Sequence, residues 1–279
     1  MDHKKSIFSN IPYFSLFLLL IGAVLVTVPF LWMFLTAFKT FDESTSINPF
    51  VVIPSRFRLD AFVFVTGMFN FGRLYYNTIV LIILRIICAV LTATMAAYAL
   101  GRIKFFGRSI CFAMVLAQMM VPSQIFILPQ YLIILRLSAN NTMFGLLFPG
   151  LVTAFGTFLL RQHFMSLPAS LEESARIDGA NPFQVFLRVM APMVNSGMIA
   201  LGIFTALFAY KELMWPLIVN PANHAMPLSS ALARLQGQSF THFPALMAAA
   251  TLASIPMIII YLFFQKRFIE GIVTTGLKL

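Results

Sequence analysis

From Tyr13 to Phe38 the chain carries no charged residue, and five more long apolar stretches follow it. Nothing constrains the fold more. Roughly 20 apolar residues in a helix cross the hydrocarbon core of a bilayer. Within lipid each backbone polar group must be satisfied inside its own segment, and continuous apolar runs of this length do that as helices. Composition agrees: 60% of residues are hydrophobic and 10% charged, where a soluble domain is nearer half and a quarter. With 279 residues, and roughly 20 per span plus loops, about six spans fit. The expected organisation is an N-terminus over 1–12, spans near 13–38, 77–100, 110–131, 142–160, 192–219 and 244–264, and a tail over 265–279. The first run exceeds a signal-peptide core and lacks a small-residue cleavage site, so it is read as a retained span. Pro29 and Pro256 are expected to kink the first and last spans.

Charge sets the orientation. The net charge of +10 is scattered between spans rather than gathered on one face, which argues against nucleic acid and for positive-inside topology. Lys4, Lys5, Arg102, Lys104, Arg108, Arg161, Arg176, Arg188, Lys266, Arg267 and Lys278 fall on one side. Lys39, Arg56, Arg58, Arg73, Arg136 and Arg234 fall on the other. Both termini are therefore expected to be cytoplasmic. Cys88 and Cys111 lie in apolar runs and read as small hydrophobes rather than a disulfide or metal pair.

One polar island interrupts the apolar pattern, in the loop over 161–191: Glu172-Glu173-Ser174-Ala175-Arg176-Ile177-Asp178-Gly179-Ala180-Asn181-Pro182. Pro168, or else a Ser170–Glu173 capping box, opens a first helix. Gly179 suits its C-terminal elbow, and Asn181-Pro182 supplies the N-cap and first position of a second helix. Ala169, Leu171, Ser174, Ala175 and Ile177 keep the first helix small or apolar, as a close-docking surface requires. An ordinary surface loop is the alternative on residues alone.

No constellation supports catalysis. The four histidines sit in separate segments without metal-ligand spacing, and Glu172 and Glu173 are adjacent, so on a helix they do not converge. The loop Gly101-Arg102-Ile103-Lys104-Phe105-Phe106-Gly107-Arg108 echoes a phosphate-binding loop, but its glycine spacing and Arg108 do not match one. Intramembrane polar residues are the better candidates, because each is costly in lipid and faces a cavity or partner. Gln118 and Gln124 flank Pro122, while Tyr210, Lys211, Glu212 and Trp215 sit in the fifth span. All six are candidate pathway residues, with Trp215 available either to line the pathway or to sit at an interface. Pro122 marks either a packing kink or a cavity wall. Arg85 is read as snorkelling towards the outer interface.

Glu173-Ser174-Ala175-x-x-Asp178-Gly179-Ala180 followed by Val189-x-Ala191-Pro192 resembles the "EAA" loop of ABC import permeases. Ser174 and Ala191 stand where that pattern has alanine and leucine. Asn77-Thr78, Ala96–Arg102, Trp215-Pro216-Leu217, Leu235-Gln236-Gly237-Gln238, Ile255-Pro256 and Gln265–Gly271 extend the likeness to carbohydrate importers, nearest the maltose-type second permease subunit. The resemblance implies an all-α, six-helix, type I importer permease fold in the bacterial cytoplasmic membrane. It implies that Glu173, Ser174, Ala175, Asp178, Gly179 and Ala180 couple to an ATPase cleft. Leu235, Gln236, Gly237 and Gln238 would form a scoop loop entering a solute-binding protein. The implied partners are a sister permease forming a heterodimer, two ATPase subunits holding ATP and Mg, an extracytoplasmic binding protein and an oligosaccharide or related glycan. This chain itself would hold no cofactor. Tyr210-Lys211-Glu212 departs from the aromatic-Asn-acid sequence usual before Trp-Pro in that family. The alternatives are the same machine for a glycerol phosphodiester or polyol, and a secondary transporter, which would predict inverted repeats.

Overall fold

The computed structural model describes residues 13–47, 51–220, 225–236 and 242–276. Expectations placed on 1–12, on Gly237 and Gln238, on 277–279 and on the side chains of 266–276 lie outside the described residues. Among those described, every regular element is helical. The chain divides into two compact units, Met1–Asn70 with Arg234–Ile259 and Phe71–Ala233 with Ile260–Leu279.

In the first unit, α1 (Tyr13–Thr36) runs continuously through Pro29. None of its most apolar window is buried, so the whole helix surface suits lipid or another chain. At its end, Lys39 stands 4.0 Å over the Trp32 ring and donates to the Val51 carbonyl at 2.7 Å. Thr40 and Glu43 form a capping box that starts α2 (Phe41–Thr45). Glu43 also accepts from the Ser55 amide at 3.1 Å and from the Ser55 hydroxyl. The Ser55 hydroxyl, followed by the Thr40 amide, holds the Glu43 carboxyl down at about 2. A short helix, α3 (Asp60–Met68), buries Ala61 and Val65. The last helix, α15 (Phe243–Gly276), runs unbroken through Pro256; its portion up to Ile259 belongs to this unit and buries Ala245, Ala248 and Ala249.

The second unit is built around α4 (Phe71–Arg102), which begins well before Asn77. Leu74, Leu81, Arg85, Ala89, Ala93, Ala97 and Leu100 form its buried stripe at helical spacing. That stripe packs on α8 (Ala154–Met165) and α12 (Asn195–Lys211). One core joins Ala93, Ala97, Tyr98, Leu160, Phe164 and Leu201; a second joins Leu81, Ile134, Leu146, Trp215 and Val219. Polar bonds clasp the start of α4: Asn77 donates to the Met226 carbonyl at 3.0 Å, and the Leu228 amide donates to the Thr78 hydroxyl at 2.9 Å.

Three apolar segments of this unit are broken rather than kinked. The stretch expected as one span over 110–131 is α5 (Arg108–Met120) and, after a 3-10 turn, α6 (Ile127–Arg136), bent by 102°. Pro122 sits in that break and holds an extended ψ of 129°, as a residue leaving a helix does. A shorter helix, α7 (Met143–Leu147), and the turn after it meet α8 at 45°. The 192–219 segment divides between two breaks. Pro192 lies in the helical run 182–193, which meets α12 at 71°, and α12 ends at Lys211, before α13 (Met214–Val219). Among the described residues, α1 and α4 are continuous and long enough to cross a membrane, and each bent pair is so if taken together.

Candidate functional site: a polar elbow and an intramembrane ion pair

The polar island folds as helix, glycine elbow and helix. Its first helix, α9 (Ser170–Ile177), takes neither start that the sequence offered. Pro168 lies outside it, and Ser170 is already inside, so no side chain caps the end. The Ala169 carbonyl instead receives the Glu172 and Glu173 amides at 3.0 and 3.2 Å. After Asp178, Gly179 adopts φ +84°, the left-handed region that a Cβ disfavours. Its amide and that of Ala180 close on the Arg176 and Ala175 carbonyls, both at 3.0 Å. Asn181 and Gln184 form a reciprocal capping box with Pro182 at the first turn of α10 (Pro182–Gln184). The helix continues as π-helical Val185–Met190 and then α11 (Ala191–Met193).

Two faces of α9 have separate duties. Glu172 and Ala175, three residues apart, turn inward. Ala175 joins the core of Tyr98, Phe164, Val185 and Met190. It is therefore packed on its own chain, and the expectation that it lies on a docking surface is corrected. Leu171 is half-buried against the same core. Outward lie Glu173, Ser174, Arg176, Asp178 and Ile177, the last 86% exposed, with Phe183 beyond the elbow at 66%.

An anchor that the sequence reading missed holds this element down. Arg102 Nε lies 2.7 Å from Glu172 Oε1, with both side chains nearly covered. The same guanidinium donates to the Leu167 and Pro168 carbonyls at 3.1 and 3.2 Å. Arg176 approaches Glu172 at 3.7 Å from the exposed side. A groove of about 870 Å³ opens here, lined in part by Arg102, Glu172, Glu173, Arg176 and Phe183. The available signal was the adjacency of the two glutamates: on a helix seated against a core, neighbours point apart, so one must face inward.

The second constellation sits at the α12–α13 break. Arg85 is 6% exposed and does not snorkel. Its guanidinium meets Glu212 at 2.6 Å and the Leu146 carbonyl at 2.6 Å. A charge that deep requires such partners, and Glu212 supplies one because the helix breaks at that residue. Lys211 turns elsewhere, 4.8 Å over the Phe208 ring, and Tyr210 is half-buried. Trp215 is 2% exposed, donates to the Gly145 carbonyl at 3.0 Å and packs in the Leu81–Val219 core. Its ring presents no stacking surface here, because a covered indole with a partnered N–H is a core residue. Gln118 and Gln124 are exposed on either side of the 102° bend between α5 and α6, whereas Trp215 is covered. Leu235 and Gln236 follow α14 (Leu228–Arg234).

A bundle of apolar helices, several broken at polar or proline positions, with one braced polar elbow, is the construction of a membrane transport subunit. The chain belongs to the family described as binding-protein-dependent transport system inner membrane component, which matches residues 89–273. It is 33% identical to the arabinooligosaccharides transport system permease protein AraQ of Bacillus subtilis over 76% of this chain and 77% of that one. It is 30% identical to the diacetylchitobiose uptake system permease protein NgcG of Streptomyces coelicolor, covering 93% and 86%. It is 32% identical to the sn-glycerol-3-phosphate transport system permease protein UgpE of Pectobacterium atrosepticum, covering 73% of each. A bacterial ABC transporter involved in the import of the acidic polysaccharide alginate shares the fold with a TM-score of 0.75, at 24% identity over 91% of this chain and 95% of that one. Membership makes the chain the permease component of an ATP-driven importer, a transport subunit rather than an enzyme, working with an ATPase and a binding protein. The secondary-transporter alternative falls with that membership.

Proposed function

We propose that this permease imports an oligosaccharide or related glycan, and that the elbow couples ATP hydrolysis to opening of the pathway. The observation that carries the coupling role is the two-faced α9. Its inner face is bonded into the chain's own core through Ala175 and Arg102–Glu172, while Glu173, Ser174, Asp178 and Ile177 face outward. Force applied to the outer face would reach α4 and α8 without a flexible joint. In the working complex the chain makes six crossings with both termini cytoplasmic in the bacterial inner membrane. It pairs with a sister permease, two ATPase subunits holding ATP and Mg, and an extracytoplasmic binding protein that Leu235–Gln238 enters. Gln118, Gln124, Tyr210 and Lys211 contribute to the pathway, with Glu212 as the partner of Arg85.

A neutral saccharide is favoured over a phosphodiester by that last pair. A phosphate-bearing solute would call for uncompensated cavity cations, and the buried guanidinium of Arg85 is already neutralised. The glycerol-3-phosphate relative keeps the second reading in play. The deciding experiment reconstitutes the complex and compares uptake of labelled arabino- and chito-oligosaccharides with glycerol 3-phosphate. Disulfide crosslinking of a Ser174→Cys variant to the ATPase runs beside it. Uptake of glycerol 3-phosphate alone would overturn the saccharide assignment, and a Ser174 position that never crosslinks would overturn the coupling role.

A further inference from the structure

The Gly101–Arg108 turn, which resembles a phosphate loop in sequence but is not one, gains a different meaning from its surroundings. A cavity of about 510 Å³ opens where α4, α5 and α8 approach, and Lys104, Arg108 and Arg161 all line it. No carboxylate is among its lining residues; Ser109, Phe105 and Phe112 contribute the rest of its polar and aromatic wall. In the adjoining groove, whose lining also includes Lys104 and Arg108, Glu172 is engaged by Arg102 and Arg176, and Glu173 lies on the outward face of α9.

The three cations are held differently. Arg108 donates to the Gly101 and Ile103 carbonyls at 3.1 and 3.3 Å, which fixes the shape of the turn. Arg161 lies 3.8 Å over the Phe112 ring and gives its Nε to the Leu100 carbonyl at 3.1 Å. Its terminal nitrogens, and the Lys104 ammonium, have no protein partner among the described residues. Three like charges around one cavity repel unless an anion joins them.

The rim of the cavity says which anion. Phe106 at the tip of the turn is fully exposed, and Ile110 is 65%, Ile103 45% and Phe105 43% exposed. An aqueous phosphate would leave these side chains in water, at a loss that grows with their apolar area. A phospholipid satisfies both halves: its headgroup phosphate meets the cations while the acyl boundary covers the aromatic and aliphatic rim. We propose that Lys104, Arg108 and Arg161 bind the phosphate of an anionic phospholipid of the cytoplasmic leaflet, with Phe105 and Phe106 seated in the membrane interface. The leaflet rests on the topology proposed above, which puts the 101–108 turn on the cytoplasmic side.

The test uses the whole transporter complex, purified in mild detergent and delipidated. It is titrated with phosphatidylglycerol or phosphatidylcholine and followed by native mass spectrometry. One phosphatidylglycerol should be retained in preference to phosphatidylcholine. Lys104→Gln, which removes a solvent-facing ammonium without breaking a hydrogen bond, should weaken it about fivefold, and Lys104→Glu should abolish the preference. Equal retention of both lipids, or unchanged phosphatidylglycerol binding in Lys104→Glu, would overturn the site. Displacement of the lipid by millimolar inorganic phosphate would make it a free-anion site and overturn the lipid assignment. Side-specific labelling of Phe106→Cys in vesicles separates the two layers of the argument. Labelling from outside refutes the topology and hence the leaflet even when lipid binding persists. Cytoplasmic labelling together with lost lipid preference in the unmutated complex refutes the site alone.

Discussion

Removing the Arg102–Glu172 bond should loosen the elbow without unfolding the bundle, by an amount that the geometry sets. The pair is 2.7 Å apart, with side chains 13% and 12% exposed. Breaking a fully buried pair costs about 3 to 5 kcal/mol because a charge is stranded. Here the cost is smaller, since Arg102 keeps the Leu167 and Pro168 carbonyls and a groove admits water; about 2 kcal/mol is expected for Glu172→Ala. Arg102→Ala loses all three bonds and should cost about 3 kcal/mol. The double variant should cost no more than the larger single one, which makes the coupling energy about 2 kcal/mol. Hydrogen exchange reads this locally through the amides of Asp178, Gly179 and Ala180, which bond the Ser174, Arg176 and Ala175 carbonyls. Exchange of those amides should accelerate about thirtyfold in Glu172→Ala, while amides in the middle of α4 stay unchanged. Additive single effects, with coupling below about 0.5 kcal/mol, would show that the two groups merely neighbour each other. The reasoning would also be refuted if α4 loosened together with the elbow, since the bond would then support the bundle at large.

Gly179→Val forces a β-branched residue into φ +84° although nothing lies within 4 Å of the new Cβ, so the penalty is backbone strain of about 1 to 2 kcal/mol. The complex should assemble yet lose binding-protein-stimulated ATP hydrolysis; wild-type stimulation would refute a coupling role for the elbow. Gly150→Ala puts a Cβ 2.8 Å from Arg85 Cγ and should destabilise the second unit by about 1 to 3 kcal/mol; an unchanged melting temperature would show that Arg85 is not locked in place. The Glu43 carboxyl, held at about 2 against an ordinary 4.5, is depressed in the folded chain. Its cap is at full strength above pH about 4.5 and is lost as pH falls towards 2. Protection of the Thr40 and Ser55 amides, which donate to this carboxylate, should fall across that window relative to their intrinsic exchange and show no such step in Glu43→Gln, and a midpoint near 4.5 would contradict the bonding described. Cysteines at Gln118, Gln124 and Lys211 should react with small polar thiol reagents in a substrate-sensitive way, whereas Trp215→Cys should stay protected.

Helical class, the elbow and its capping residues were legible because each depends on local chemistry: apolar length, a left-handed glycine, and an Asn-Pro start. The breaks were legible only as prolines. That Pro122 turns the chain by 102° rather than bending it depends on what α6 packs against, which no local pattern records. The α12–α13 break carries no proline at the point of rupture; it falls at Glu212, and its partner Arg85 lies on another helix. Trp215 looked like a pathway residue because aromatic and proline sit together, yet the Gly145 carbonyl that claims its N–H belongs to a distant stretch of chain. Pairings of this kind are tertiary facts, and so was the inward turn of Glu172.

The single unbroken helix α4 has a mechanical consequence. Its 32 residues, at 1.5 Å each, make a rod of about 48 Å. One end is tied through Arg102 to the elbow; near the other, Asn77 and Thr78 are tied to the 226–228 segment. The two ties lie about 37 Å apart along it, so a tilt of only about 5° pivoting at either tie displaces the opposite tie by about 3 Å, about the length of the bonds holding it. The rod thus serves as a lever arm with a gearing set by its length. A displacement too small to disturb side-chain packing at the elbow is large enough, at the far end, to break hydrogen bonds and re-form them elsewhere.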